Sequence, residues 1–244
     1  RIMWRQLQTA VTLIYPPRCL TCGDMVETDF GLCGSCWRDS LFIGGTICDR
    51  CGVPLMGSDT AEMALCDGCL VTPPPWVQGR SALLYKNNGR KLVLALKHGD
   101  RQEIAQPAAT WLARSLKGLL SPDTLIAPVP LHWLRMLKRR YNQSALLAHA
   151  LARETGFTCC PDLLRRVRNT APLEGKNHAQ RFETLDAAIK VHPKRRHQLI
   201  GRPILLVDDV LTTGATLGAT AQACLDAGSG PIRVVTLARV VKDT

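Results

Sequence analysis

The sequence has no apolar run long enough to cross a membrane, so we expect no membrane insertion. Aromatic residues make up only 5% of its 244 residues, which disfavours binding that stacks successive bases on aromatic rings. The stretch Arg1–Ile14 carries apolar residues at helical spacing, but no long apolar core or small-residue cleavage site follows it. This pattern predicts a short amphipathic helix rather than a signal peptide.

A phosphate-binding loop of the G-x-x-x-x-G-K-[ST] type is also absent, which excludes the usual nucleoside triphosphatase site. Acidic residues are in the minority, because 20 Asp and Glu face 31 Lys and Arg and leave a formal net charge of +11. This excess favours an anionic partner: a phosphorylated small molecule, a nucleic acid or an acidic protein. Charge alone does not choose among them, and a solvated basic surface has the same composition.

Cysteine, by contrast, is abundant: the chain has 11, and eight of them form C-x-x-C pairs. Two intervening residues let both thiolates reach one ion, and the order "CLTCG…LCGSC" is repeated as "CDRCG…LCDGC". We predict two structural zinc ions, each held by four thiolates that leave no position for water. Clustered pairs of this kind indicate a metal in a reducing cytoplasm rather than disulfides. The eight predicted ligands are Cys19, Cys22, Cys33, Cys36, Cys48, Cys51, Cys66 and Cys69.

Alternatives to this zinc prediction concern the metal and the pairing. An iron–sulfur cluster accepts the same ligands, whereas a redox dithiol needs fewer pairs. The repeat favours sequential pairing, with the first two pairs on one ion, but a cross-braced arrangement uses the same residues. We predict that Cys159, Cys160 and Cys224, which lie outside the cluster, are plain apolar residues.

Three prolines, Pro73 to Pro75, separate two halves of different character. The first half has no long apolar periods and needs a metal to stabilise it. In the second half, strands that are apolar throughout alternate with helices, which predicts a parallel sheet covered on both faces. We therefore predict an N-terminal helix and a double zinc ribbon over residues 1–75, followed by an α/β domain over residues 76–244.

The α/β pattern also gives approximate element bounds. The predicted strands are Gly79–Tyr85, Thr124–Leu131, Pro203–Asp209 and Ile232–Val241, and the predicted helices are Lys91–Lys97, Glu103–Lys117, Asn142–Gly156 and Gly214–Gly228. The basic segment Arg165–His197 is weakly periodic, and we predict a loop with one short helix there.

The stretch "ILLVDDVLTTG" places Asp208 and Asp209 at the end of an apolar strand, before a loop rich in threonine and glycine. A phospho-receiver domain carries "VDD" at its first strand, with most of the fold still to come. In this chain only a helix and a strand follow the motif, so that interpretation does not fit. A helix cap at Thr212 or Thr213 would explain a threonine but not two carboxylates. In the remaining interpretation, the aspartates accept hydrogen bonds from two neighbouring ribose hydroxyls. The loop amides then bind a 5′-phosphate at a helix N-terminus. The predicted loop residues are Leu211, Thr212, Thr213, Gly214, Ala215 and Thr216.

This stretch resembles the phosphoribosyl pyrophosphate (PRPP) motif of type I phosphoribosyltransferases. With the cysteine pairs, "PPPW", "LKHGDR" and "VPLHWLRMLKRRYNQ", the chain resembles the ComF/GntX family nearly from end to end. The resemblance implies a type I phosphoribosyltransferase fold after a double zinc ribbon, with PRPP or another ribose 5-phosphate as ligand and Mg²⁺ as its companion. It also implies a cytoplasmic role in DNA uptake during natural transformation, with single-stranded DNA and the uptake machinery as partners.

The resemblance implies further site residues. Asp208 and Asp209 would be catalytic as well as binding residues, while Arg139 and Arg140 would contact pyrophosphate. Arg181, in the segment that would cover the site, would also bind PRPP. That segment departs from the family pattern at several positions, for example with Leu173 in place of Gln and Thr184 in place of Asn.

These departures leave ligand binding predicted and turnover open. The alternative function is an active phosphoribosyltransferase of nucleotide metabolism or salvage, in which the zinc ribbons are only structural.

Overall fold

A five-stranded parallel sheet forms the centre of the chain. The computed structural model describes residues 16–26, 31–57, 63–98, 101–131, 141–167 and 188–241. The strands of the sheet are β1 (Gln78–Leu84), β2 (Leu125–Pro128), β3 (Thr158–Cys159), β6 (Ile204–Leu211) and β7 (Ile232–Arg239), in the order β1-β7-β6-β2-β3. Two further strands, β4 (Leu164–Val167) and β5 (Ala188–Val191), form an antiparallel pair. The predicted class, a mostly parallel sheet flanked by helices, is confirmed.

The helices in these ranges are α1 (Gly34–Arg38), α2 (Asp67–Val71), α3 (Asn87–His98), α4 (Ala105–Ser115), α5 (Gln143–Thr155), α6 (Arg196–Leu199) and α7 (Ala215–Asp226). Helix α5 shows how the sequence sets such bounds. The Asn142 side chain caps it by accepting hydrogen bonds from the amides of Ser144 and Ala145. Gly156 ends it with a φ of 78°, a left-handed conformation that favours glycine. The predicted helix Asn142–Gly156 therefore agrees with the structure up to its capping residues. None of the helices in the described ranges combines the length and the apolar character that a bilayer span requires.

Each face of the sheet packs against helices, which is why its strands are apolar throughout. Along β6, Leu205 belongs to the core shared with α3, α4 and α5, while Ile204 belongs to the core on the opposite face, shared with α7. Cys160 and Cys224 are buried in this second core, and Cys159 packs half-buried against the first, as expected of plain apolar residues. Neighbouring residues of β6 belong to opposite cores because successive side chains of a strand point to opposite faces of the sheet.

The two cysteine-rich segments join the α/β part in different ways. Leu20 and Leu32 of the first segment are buried in the same core as α4. The second segment has its own small cluster and is attached to the start of β1. There the amide of Gly79 donates to the carbonyl of Asp49 at 3.1 Å, and the Arg80 guanidinium pairs with the Asp49 carboxylate at 2.6 Å. The division into residues 1–75 and 76–244 stays a prediction.

Strand β6 is longer than predicted. It continues to Leu211, so Asp208 and Asp209 lie inside the strand and not at its last two positions. The reason is that β7 runs beside it over the same length, pairing Asp208 with Thr236 and Leu211 with Arg239. A carboxylate pair ends an apolar pattern in sequence, but the backbone hydrogen bonds to the neighbouring strand do not depend on side-chain polarity.

Other bounds also differ. Strand β2 ends at Pro128, where its pairing with β6 ends, and not at Leu131. Helix α3 begins at Asn87, ahead of the predicted Lys91, and a 3₁₀ turn (Gln102–Ile104) precedes α4. The ends of the basic segment 165–197, predicted to be a loop with a short helix, include the β4–β5 pair besides α6, because antiparallel pairing joins residues far apart in sequence. The predicted helix at residues 1–14 lies outside the described residues.

Candidate functional site

A cavity of about 250 Å³ opens where β2 and β6 end and α5 begins. The carboxyl ends of parallel strands meet at one edge of a sheet, and ligands of open α/β sheets bind there. The Asn142 side chain fixes the start of α5 at this edge, because its amide also donates to the carbonyl of Val129, just after β2, at 3.2 Å. The polar lining of the cavity includes Lys97, Gln143, Ser144, Asp208, Asp209, Thr212 and Thr216.

The two aspartates are both anchored to the first turn of α5. The hydroxyl of Ser144 donates to Oδ1 of Asp208 at 2.8 Å, and the amide of Asp209 donates to the same oxygen at 2.9 Å. The Gln143 side-chain amide donates to Oδ2 of Asp209 at 3.1 Å, and Lys97 Nζ lies 3.3 Å from that oxygen. None of these contacts uses Oδ2 of Asp208 or Oδ1 of Asp209. One oxygen of each carboxylate is thus fixed, and the other can accept a ligand hydroxyl.

Burial and the neighbouring charge of Asp209 raise the pKa of Asp208 to about 7, against the lowering effect of the Ser144 hydroxyl. Two carboxylates this close cannot both be ionised without cost. At neutral pH Asp208 is therefore close to half-protonated, and a hydrogen-bond donor or a cation at the cavity would favour its ionised form. Such perturbed carboxyl pairs are typical of functional sites.

We expect Asp208→Asn to make the protein more stable at pH 8. A raised pKa in the folded state means that folding binds a proton between about pH 4 and pH 7, so the free energy of unfolding of the wild type falls as pH rises through that window. Asparagine keeps an oxygen for Ser144 and for the Asp209 amide but carries no charge. Because Asp208 is half-buried and partly screened, we expect a gain of about 1–3 kcal/mol at pH 8 and a smaller one at pH 5.

Urea unfolding of both proteins at pH 5 and pH 8 measures this difference. Asp123→Asn, at an exposed carboxyl, is the matched control and should leave stability unchanged at both pH values. An Asp208→Asn variant whose stability follows the wild-type pH profile would contradict the raised pKa.

The segment after β6 is a tight turn into α7. Gly214 is the N-cap residue with a φ of 82°, so neither Thr212 nor Thr213 is the cap. The Thr213 hydroxyl accepts a long hydrogen bond, 3.4 Å, from the amide of Ala215. Of the predicted loop residues, Leu211 is instead buried at the end of β6 and Ala215 begins α7. The turn itself is residues 212–214, and the amides of the first turn of α7, which have no helical partners, follow it beside the cavity.

The sequence did not identify several residues of this site. Lys97 lies in the quoted "LKHGDR" without an assigned role, and Gln143 and Ser144 follow a recognisable N-cap at the carboxyl edge of the sheet. Arg166 also lines the cavity and donates through Nε to the carbonyl of Pro130 at 2.9 Å. The predicted pyrophosphate and covering-loop ligands, Arg139, Arg140 and Arg181, lie outside the described residues.

The cysteines form two separate four-sulfur clusters with sequential pairing. Cys19, Cys22, Cys33 and Cys36 form the first cluster and Cys48, Cys51, Cys66 and Cys69 the second, and within each all Sγ atoms lie within 4.8 Å of one another. The Sγ atoms of Cys22 and Cys33, and those of Cys51 and Cys66, are 3.7 Å apart. A tetrahedron with zinc–sulfur bonds of about 2.3 Å has edges of about 3.8 Å. The geometry therefore fits one structural zinc in each cluster and excludes the cross-braced arrangement.

Backbone amides favour the thiolate form of the first cysteine in each cluster. Burial alone would raise the pKa of Cys19, but the Cys22 amide and the Thr21 hydroxyl lower it to about 5. At Cys48, burial is likewise outweighed by the amides of Cys66 and Cys51, and the pKa falls to about 7. Because the thiolate is the form that binds zinc, the turns of both clusters suit this metal.

Residues 10–70 match the family model of the double zinc ribbon domain. DNA utilization protein YhgH of Shigella flexneri is 32% identical over 87% of this chain and 92% of its own. Competence protein F of Haemophilus influenzae is 28% identical over 91% of this chain and 96% of its own.

Solved structures overlap the chain less closely. An adenine phosphoribosyltransferase from Thermoanaerobacter pseudethanolicus gives a TM-score of 0.36 with 19% identity, covering 57% of this chain and 82% of that one. Family membership rests on the sequence relatives, on the cysteine clusters and on the parallel sheet. The chain belongs to the ComF/GntX family, which includes these DNA utilization and competence proteins.

Proposed function

We propose that this protein binds PRPP with Mg²⁺ in the cavity where β2 and β6 end, and that it acts in the handling of DNA taken up by the cell. The observation that carries the proposal is the pair of anchored carboxylates beside the N-terminus of α7. A ribose 5-phosphate needs acceptors for two adjacent hydroxyls and, a few ångströms away, donors for a phosphate, and this edge of the sheet offers both.

The diol is assigned to Asp208 and Asp209. Ser144 and Gln143 each bind one carboxylate oxygen and thereby orient the other towards the cavity. Lys97 balances part of the negative charge at Asp209. Hydrogen bonds from hydroxyls to ionised carboxylates contribute about 1.5–3 kcal/mol each, so two of them supply much of the affinity for the sugar.

The 5′-phosphate is assigned to the turn of residues 212–214 and the first turn of α7. The amides there lack helical partners, and the helix dipole favours an anion at this end. Thr212 and Thr216 line the cavity and add hydroxyl donors, while the φ of 82° at Gly214 lets the chain turn tightly into α7.

Magnesium would supply charge neutralisation for the pyrophosphate and contacts to the ribose hydroxyls. Among the described residues, Asp208, Asp209 and Lys97 would face the magnesium–pyrophosphate group. The pyrophosphate and covering-loop ligands Arg139, Arg140 and Arg181 stay predictions. The function in DNA handling is supported by the names of the relatives, DNA utilization and competence proteins, and by the net charge of +11.

Calorimetric titration with PRPP and magnesium chloride tests the ligand. We expect saturable binding of PRPP and of ribose 5-phosphate, and binding of 2-deoxyribose 5-phosphate that is weaker by about tenfold or more, because one carboxylate then lacks its hydroxyl donor. Equal affinity for the ribose and deoxyribose compounds would remove the diol assignment, and absence of any PRPP signal would remove the proposal.

Two further measurements separate the DNA function from the alternative of a metabolic transferase. Fluorescence anisotropy with labelled single-stranded DNA should show an affinity that falls steeply with salt concentration. Release of pyrophosphate from PRPP with a purine, a pyrimidine or an amine acceptor would identify the transferase. DNA binding without pyrophosphate release would support a protein in which PRPP is a bound regulator.

A further inference from the structure

The indole ring of Trp76 lies between the second cysteine cluster and the turn assigned to phosphate. Trp76 is only 4% exposed. Its Nε1 donates to the carbonyl of Arg50 at 2.6 Å, and Arg50 stands between the cluster residues Cys48 and Cys51. The far edge of the same ring lies against Gly214, where a Cβ atom would come 3.2 Å from Trp76 Cη2. One rigid side chain therefore touches both the metal-binding turn and the N-cap of α7.

A second connection runs through Arg239 at the end of β7. Its Nη2 donates to Cys51 Sγ at 3.3 Å, and it pairs in register with Leu211, the residue just before the turn. The amide of Val240 donates to the carbonyl of Leu211 at 2.9 Å. Four thiolates around Zn²⁺ carry a net charge of −2, which attracts this guanidinium.

The second cysteine cluster is attached to the sheet so closely that a displacement of its metal-binding turn would reach the indole. A Cβ atom at Gly79 would lie 2.5 Å from the Arg50 carbonyl oxygen, so the metal-binding turn and β1 are in direct backbone contact. Gly214 has a φ of 82° and no space for a side chain under the indole. A shift of the Arg50 carbonyl must therefore move the indole, and a shift of the indole changes the packing on Gly214.

We propose that the second cysteine cluster and the phosphate-binding turn are energetically coupled, and that Trp76 is a positioning residue for phosphate although it does not contact the ligand. The inference rests on the proposed PRPP site. Coupling of this kind is reciprocal: an intact metal-bound turn raises affinity for the phosphate, and bound phosphate retains the metal more strongly.

Trp76→Phe is the decisive variant, because phenylalanine keeps a buried ring but loses both the N–H donor and the outer edge that reaches Gly214. Trp111→Phe is the matched control, since Trp111 is equally buried but packs against Trp37 and Phe42 at the first ribbon. We expect PRPP affinity to fall roughly five- to tenfold in Trp76→Phe and to stay unchanged in Trp111→Phe. Hydrogen–deuterium exchange of residues 210–221 should be faster only in Trp76→Phe.

The exchange measurement needs no ligand, so it judges the inference even where PRPP fails to bind and the proposed function is lost. A folded Trp76→Phe protein with wild-type exchange over residues 210–221 would overturn the coupling. If Trp76→Phe does not fold, the test uses the wild-type protein. Treatment with a chelator that empties the second cluster should then speed hydrogen–deuterium exchange over residues 210–221. Unchanged exchange there would also overturn it.

Discussion

The double variant Asp208→Asn/Asp209→Asn is expected to bind PRPP about a hundredfold more weakly than the wild type, or not at all. Each substitution replaces an ionised carboxylate by an uncharged amide, whose NH2 group then lies where we assign the oxygen that accepts from a ribose hydroxyl. Losing the charge in both hydrogen bonds costs about 3 kcal/mol or more in total, which corresponds to about a hundredfold in affinity. The loss should appear in calorimetric titration with PRPP and magnesium chloride.

The variant is chosen so that the fold is retained. Asparagine has the shape of aspartate, and its side-chain oxygen can still accept from Ser144 at one position and from Gln143 at the other. Asp123→Asn/Asp226→Asn, which removes two exposed carboxylates, is the matched control and should bind PRPP normally. If the site variant also bound PRPP with wild-type affinity, the carboxylates could not be the diol ligands.

The zinc clusters are the feature that the sequence predicts best. Their ligands are chemically distinctive, and the C-x-x-C spacing is local, so no knowledge of the fold is needed. The internal repeat also favours the sequential pairing that the structure shows. The buried strands follow for a similar reason, because an apolar run such as "ILLV" has few other stable environments.

The sequence predicts the carboxylate site less completely, because its geometry depends on contacts between distant residues. Asp208 and Asp209 are recognisable, but their partners Ser144 and Gln143 lie 64 and 66 positions away along the chain. The contact between Trp76 and Gly214 spans still more of the sequence, and in "PPPW" nothing marks the tryptophan as a neighbour of a phosphate turn. Tertiary packing alone brings these residues together.

Loss of zinc from the second cluster is expected to unfold the second ribbon. The buried residues of its small core are Cys48, Cys51 and Cys69, all predicted ligands. The metal would therefore supply most of the folding free energy of this segment, and structural zinc contributes on the order of 10 kcal/mol in small metal-bound domains. Cys69→Ser should lower bound zinc from two ions to one per chain, as atomic absorption would show.

The first ribbon should respond less to the equivalent change, Cys36→Ser, because Leu20 and Leu32 are buried in the main core beside α4. Hydrogen–deuterium exchange can compare the two: Cys69→Ser should give full exchange over residues 46–57 and 63–72, whereas Cys36→Ser should leave partial protection over residues 31–42. Cys159→Ser, at a half-buried cysteine outside the clusters, controls for the chemistry of the substitution. Equal loss of protection in both ribbons would contradict this prediction, because packing against α4 would then contribute nothing to the stability of the first ribbon.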